Sequence, residues 1–183
     1  RQDIGRLVQA DLAHPPLLPG SVDVLVSAFV LFHLADPPAA ARQLAAALRP
    51  GGSFAAATWT KDDAWPAKAA FTAELDAAGA PPVTSSRFGA AYTETPQALA
   101  ALAESAGLRV VDVEVAPLGG PPIDAADLVA EWAATGSSGT RFLALDADAR
   151  RQVLAEATRK VGALSEADRR DPHVVIRLWA TKD

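Results

Sequence analysis

The sequence of 183 residues contains no cysteine and no methionine. Without cysteine there is no disulfide framework, no thiolate zinc site and no cysteine nucleophile. Because methionine is missing even at position 1, Arg1 is not expected to be a translational start. Long hydrophobic runs are absent as well. No stretch approaches the ~18 consecutive apolar residues of a membrane span, and Arg1-Gln2-Asp3-Ile4-Gly5 has no apolar signal core. A soluble, cytoplasmic protein with no membrane partner is expected. Positive charge is scarce, with 17 Lys and Arg against 22 Asp and Glu for a net charge of −5, so nothing favours a nucleic-acid partner. What remains is a globular composition, 50% hydrophobic and 21% charged, long enough for one well-cored domain and short for two.

Apolar runs and helix signals alternate along the chain. Leu7 to Asp11 reads as a short strand and its exit, followed by a breaker-rich loop at His14-Pro15-Pro16 and Leu18-Pro19-Gly20-Ser21. Val22 to Phe29 is almost continuously apolar and reads as a strand buried on both faces. Asp36-Pro37 signals a helix start, because Asp accepts unpaired amide protons and Pro suits the first helical position. Ala40, Leu44 and Leu48 form its stripe, and Arg49-Pro50-Gly51-Gly52 turns the chain into a second buried strand, Ser53 to Trp59. Strand, helix and strand in this order make a right-handed βαβ unit.

A second helix is predicted over 64–78, with Phe71 and Leu75 on one face, and a loop from Ala80 to Tyr92. A third helix begins at Thr95-Pro96 with the stripe Leu99, Leu102 and Ala106. The alternation from Arg109 to Val115, with Val111, Val113 and Val115 on one side, predicts a half-exposed strand. After the breakers at 117–122 come a helix near 124–135, a Gly/Ser link at 136–139, a helix near 146–164 and a closing strand at 174–181. The whole is an α/β layered chain. Ligands in such folds bind outside the carboxyl ends of the strands, which draws attention to Asp11-Leu12, Ala28-Phe29 and Trp59-Thr60.

Four ordered pieces carry a resemblance. They are Val8-Gln9-Ala10-Asp11-Leu12; Leu18-Pro19-Gly20-Ser21-Val22-Asp23-Val24; Ser27 to Pro37, which includes His33-Leu34-Ala35-Asp36-Pro37; and Leu48-Arg49-Pro50-Gly51-Gly52. In this order and spacing the chain resembles a class I S-adenosylmethionine-dependent methyltransferase of the ubiquinone- and menaquinone-methyltransferase-like small-molecule subgroup. The resemblance implies a Rossmann-like, mostly parallel sheet with an antiparallel C-terminal strand, and S-adenosylmethionine as cofactor. It implies one partial methyltransferase domain over 1–183, with a helical insertion at about 117–171 that resembles nothing else. The implied reaction is methyl transfer to O, N or C of a small, apolar or aromatic acceptor.

The resemblance assigns Asp11 to the adenine amino group, with the Leu12 amide offering a donor to the ring; the alternative is an ordinary turn aspartate. Ala28 and Phe29 fall where the backbone meets the methionine part of the cofactor. His33 is a candidate base, since an ordinary imidazole titrates near ~6.5, or a structural histidine. Trp59, Thr60 and the nearby Trp65 border the acceptor pocket, where an aromatic ring stacks on a flat substrate or shelters the sulfonium, or covers the sheet edge. Phe88 and Tyr92 read as part of a lid, and Trp132 and Phe142 as core residues or an apolar wall. His14 and His173 have no motif and read as surface or capping residues. No metal site is expected.

The Gly-rich turn and the ribose-binding acid that complete such a cofactor site are not in the sequence, so the first strands of the sheet are expected to be missing. That leaves a second reading, a truncated or degenerate non-catalytic interaction module. Unpaired strand edges would then invite homo-oligomers.

Overall fold

The computed structural model describes residues 7–61, 64–84, 87–118 and 120–183. The chain divides into two compact units. Unit 1 comprises Arg1–Lys61, Arg87–Ala116 and Val174–Asp183, and unit 2 comprises Asp62–Ser86 and Pro117–His173.

Unit 1 is a sheet with helices. Its strands are β1 (Val22–Ala28), β2 (Leu48–Trp59), β3 (Leu108–Pro117) and β4 (Val174–Lys182), ordered β1-β2-β4-β3. β1 and β2 run parallel, and β2 and β4 antiparallel. This is the expected mixed α/β sheet with an antiparallel C-terminal strand. The first helix, α1 (Pro37–Ala47), starts as its sequence demands: Asp36 Oδ1 accepts the Ala39 N–H at 2.9 Å and Pro37 fills the first position. The turn expected at Arg49-Pro50-Gly51-Gly52 forms inside β2 as a bulge, because Val22 pairs with Leu48 but Val24 pairs with Ser53. Gly51 has φ +73, and a Cβ on Gly52 would meet the Arg49 carbonyl at 2.8 Å, so both positions need glycine.

One face of the sheet is a core. Leu44 of α1, Leu99 and Leu102 of the third helix of the chain (Pro96–Ser105), Leu48, Phe54, Ile176 and Leu178 pack together there. The other face differs from expectation. The sequence predicts β1 buried on both sides, yet Val24 is 56% and Val26 69% exposed, with Trp179 46% exposed across β2. No layer of described residues covers those side chains. The strand expected at 7–11 is also absent: these residues are exposed coil, with no neighbouring strand in the described residues to complete a ladder. In β3 the expected alternation fails, since Val111 and Val115 are exposed while Val110 and Val113 lean on the core.

Unit 2 is helical: α2 (Pro66–Ala77), then, after the third helix α3 already given, α4 (Ala125–Ala134), α5 (Gly136–Leu143), α6 (Ala147–Gly162) and α7 (Glu166–Arg169). Its core gathers Phe71, Leu75, Leu128, Val129, Trp132, Val153 and Val161. The Gly/Ser link expected at 136–139 is instead the first half of α5. Arg141 of α5 ties this helix to the end of α2, pairing with Asp76 at 2.5 Å and donating to the Ala80 carbonyl at 3.1 Å. Among the described residues no helix is long and apolar enough to cross a membrane.

Candidate functional site

The carboxyl ends of two parallel strands, β1 and β2, lie side by side. Phe29 follows β1, and its backbone N–H donates to the Ala57 carbonyl of β2 at 2.8 Å. Phe29 has φ +57, the one non-glycine residue with positive φ among those described. A bulky side chain there is strained by roughly 1–3 kcal/mol, and such strain gathers at functional sites. Its ring lies 4.4 Å from the Trp59 ring, tilted by 30°. Ala28 is exposed beside it, paired with Ala57. Thr60 continues this rim, but its N–H and hydroxyl both donate to the Val174 carbonyl, at 3.0 and 3.3 Å. The next amide, Lys61, donates to the Glu94 carbonyl at 3.2 Å.

His33 closes a short 3-10 turn, Leu31–His33, with its own ring exposed and 4.3 Å from that of Phe32. The segment with Phe88 and Tyr92 is pinned to this turn. Gly89 donates to the Phe32 carbonyl at 2.9 Å, and Arg87 lies 5.2 Å from the Phe32 ring. Glycine is required at 89, because a Cβ would meet the Leu34 and Leu31 carbonyls at 2.9 and 3.0 Å and the Pro37 ring. Phe88 and Tyr92 remain 67% and 46% exposed.

Asp11 stands in an exposed turn. Its Oδ1 accepts the Ala13 N–H at 2.9 Å, and His14 lies 3.7 Å from Oδ2. That is a turn-capping geometry, and the exposed carboxylate keeps lone pairs for a further donor. Leu12 is half-buried against the unit 1 core. The structure thus joins Phe29, Trp59 and Thr60 at one strand end and His33, Phe88 and Tyr92 along one turn.

Sequence reasoning missed two groups in unit 2. His173 pairs with Asp171, Nδ1 to Oδ1 at 2.6 Å. Lys68 holds its ammonium 4.7 Å from the Trp132 ring centroid and 5.5 Å from that of Phe71. Burial lowers the Lys68 pKa to about 8, against a smaller raising effect of Glu131.

Residues 1–56 match a family model described as a methyltransferase domain. No curated protein matches the chain. Among solved structures, the chain is similar to a provisionally named methyltransferase from Bacillus halodurans, at 14% identity and TM-score 0.55, covering 96% of this chain and 76% of that one. It is similar to the YcgJ protein of Bacillus subtilis, at 17% identity and TM-score 0.55, covering 97% and 70%. The cyclase SpnF, at 16% identity and TM-score 0.49, covers 94% of this chain, which spans 54% of that protein's length. The fold is therefore the Rossmann-like α/β fold of methyltransferases. The match over 1–56 supports the broad class read from the sequence.

Proposed function

We propose that this chain carries out S-adenosylmethionine-dependent methyl transfer to O, N or C of a small apolar or aromatic acceptor, in the cytoplasm. It would do so as a partial methyltransferase domain of the ubiquinone- and menaquinone-methyltransferase-like subgroup, with its helical insertion at 117–171. The observation that carries this reading is the coincidence of the family match over residues 1–56 with the four sequence pieces between Val8 and Gly52. The strand-end geometry at Phe29 and Trp59 supports it.

The residues present fit the cofactor. Asp11 offers exposed carboxylate oxygens for an amino group, with the Leu12 amide beside it. Ala28 and Phe29 offer a strand end for the methionine part, and the Phe29–Trp59 pair offers aromatic surface for a cation. When bound, S-adenosylmethionine supplies a methyl group already activated on a sulfonium. Positioning by the chain can then contribute much of the rate. Titration calorimetry of the full natural chain with S-adenosylhomocysteine tests the reading: saturable heat supports it, and no heat sinks it.

The second reading, an interaction module, draws on the exposed apolar face of Val24, Val26 and Trp179. It calls for light scattering of the 183-residue chain to show a stable oligomer, together with no heat in the same titration.

A further inference from the structure

The lysines of the chain are Lys61, Lys68, Lys160 and Lys182, and they keep different company. Lys61 is exposed. Lys160 of α6 pairs with Glu74 of α2. Lys182 donates to the Ala46 and Leu48 carbonyls, at 3.3 and 2.7 Å. Lys68 differs from them all. Among the described residues its ammonium makes no ion pair and no hydrogen bond. It faces the Trp132 ring at 4.7 Å and the Phe71 ring at 5.5 Å. The side chain is half-buried, yet Nζ keeps contact with water.

Its place in the chain adds to this. Lys68 lies in the first turn of α2, two residues after Pro66. A helix presents the positive end of its dipole there, which disfavours a cation. Burial, the largest effect, brings the pKa down to about 8 against the Glu131 carboxylate of α4, which favours the charge. At about pH 7.5 roughly a quarter of such amines have a free lone pair, against about one in a thousand at the ordinary lysine value. A lysine desolvated in apolar company is an activated nucleophile. The same company favours a product without charge. An amide meets that demand, whereas a protonated imine brings the charge back.

We propose that Lys68 is a site of acyl modification, taking a small acyl group from an acyl phosphate or an acyl thioester. The Nζ lone pair attacks the acyl carbon. A nitrogen–carbon bond forms as the carbon–oxygen bond to phosphate, or the carbon–sulfur bond to the thiol, breaks. The leaving group keeps the electron pair of that bond, and the nitrogen gives up one proton to water. The amide is uncharged, so burial no longer opposes it, and the attraction of the Trp132 ring for a cation goes with the charge. The reaction lies wholly within unit 2, and it stands or falls apart from methyl transfer.

Timed peptide mass spectrometry of the full natural chain, exposed to acetyl phosphate or to an acetyl thioester at about pH 7.5, tests this. Lys68 is expected to be acetylated about tenfold faster than Lys61 or Lys160. The gain is smaller than the free-amine ratio because a less basic nitrogen is also a weaker nucleophile. The reagent that shows the preference identifies the donor. In urea, where the fold is lost, the lysines should react alike. Glu131→Gln, an exposed substitution, removes the carboxylate that favours the proton. It should speed Lys68 by about twofold and leave Lys160 unchanged. No preference for Lys68 with either donor, a preference that survives in urea, or a Glu131→Gln rate no higher than the wild type overturns the proposal.

Discussion

Phe71, Leu75, Leu128 and Val161 of unit 2 are at most 1% exposed, surrounded by helices on every side, whereas the sheet of unit 1 buries Phe54 and Ile176 on one face and exposes Val24, Val26 and Trp179 on the other. The two units use their apolar residues differently. A helical cluster can close a core from its own elements. A sheet with a parallel pair is apolar on both faces because such sheets carry a layer on each side. The hydrophobicity of β1 therefore records a two-sided burial that the described residues supply on one side.

The contrast can be broken most directly by paired substitutions. Phe71→Ala should destabilise unit 2 by about 3–5 kcal/mol, through lost transfer energy and a cavity. Val26→Thr should change stability by less than about 0.5 kcal/mol, as an exposed position does. Urea unfolding followed by far-ultraviolet circular dichroism measures both, and comparable losses would show that the β1 face is covered in solution. A smaller loss is expected from Gly89→Ala in unit 1, about 1–3 kcal/mol from overpacking against the Leu31 and Leu34 carbonyls. If it is tolerated without loss, the segment bearing Phe88 and Tyr92 is not pinned to the Leu31–His33 turn.

Asp11 separates a turn role from a binding role. Removing a charged acceptor from a bound amino group should weaken S-adenosylhomocysteine by about tenfold in Asp11→Ala. Calorimetry that finds equal affinity would leave Asp11 as the cap of its own turn, bonded to Ala13.

The βαβ unit was legible because its signals are local. Asp36 caps the helix that follows it, Pro37 pre-shapes its first turn, and Gly51-Gly52 permits the backbone that returns to β2. The strand expected at 7–11 was not legible, since a strand exists only when a neighbour completes its hydrogen bonds. The Gly/Ser composition of 136–139 suggested a link, yet α5 forms there. Ser138 and Gly139 are buried, and a Cβ at 139 would meet the Ala134 backbone at 2.9 Å, so packing overrides propensity. The Asp171–His173 pair could have been flagged by its spacing, because an acid two residues before a histidine can reach the ring. Trp65, which gives that dyad its surroundings, is far away in sequence and becomes a neighbour only through the fold.

Lys68 of unit 2 carries its charge in apolar company, and the smallest predicted effect tests how that charge is kept. The Lys68 ammonium faces the Trp132 and Phe71 rings, which attract a cation, while burial disfavours it. Burial dominates in the folded chain, where the pKa falls from 10.5 to about 8. The unfolded chain keeps the proton up to about 10.5, so between these values the unfolded state binds more protons than the folded one. Stability must then rise with pH across that window, and the penalty for keeping Lys68 charged is constant below pH about 8. In Lys68→Met this slope is absent. The melting temperature of the wild type relative to the variant should climb by about 2–4 °C from pH 8 to pH 10.5, a modest figure because the side chain is only partly screened from water. A flat difference would mean that the two rings hold the cation as firmly as water does, and unit 2 would then tolerate charge in its core as readily as unit 1 tolerates valine in water.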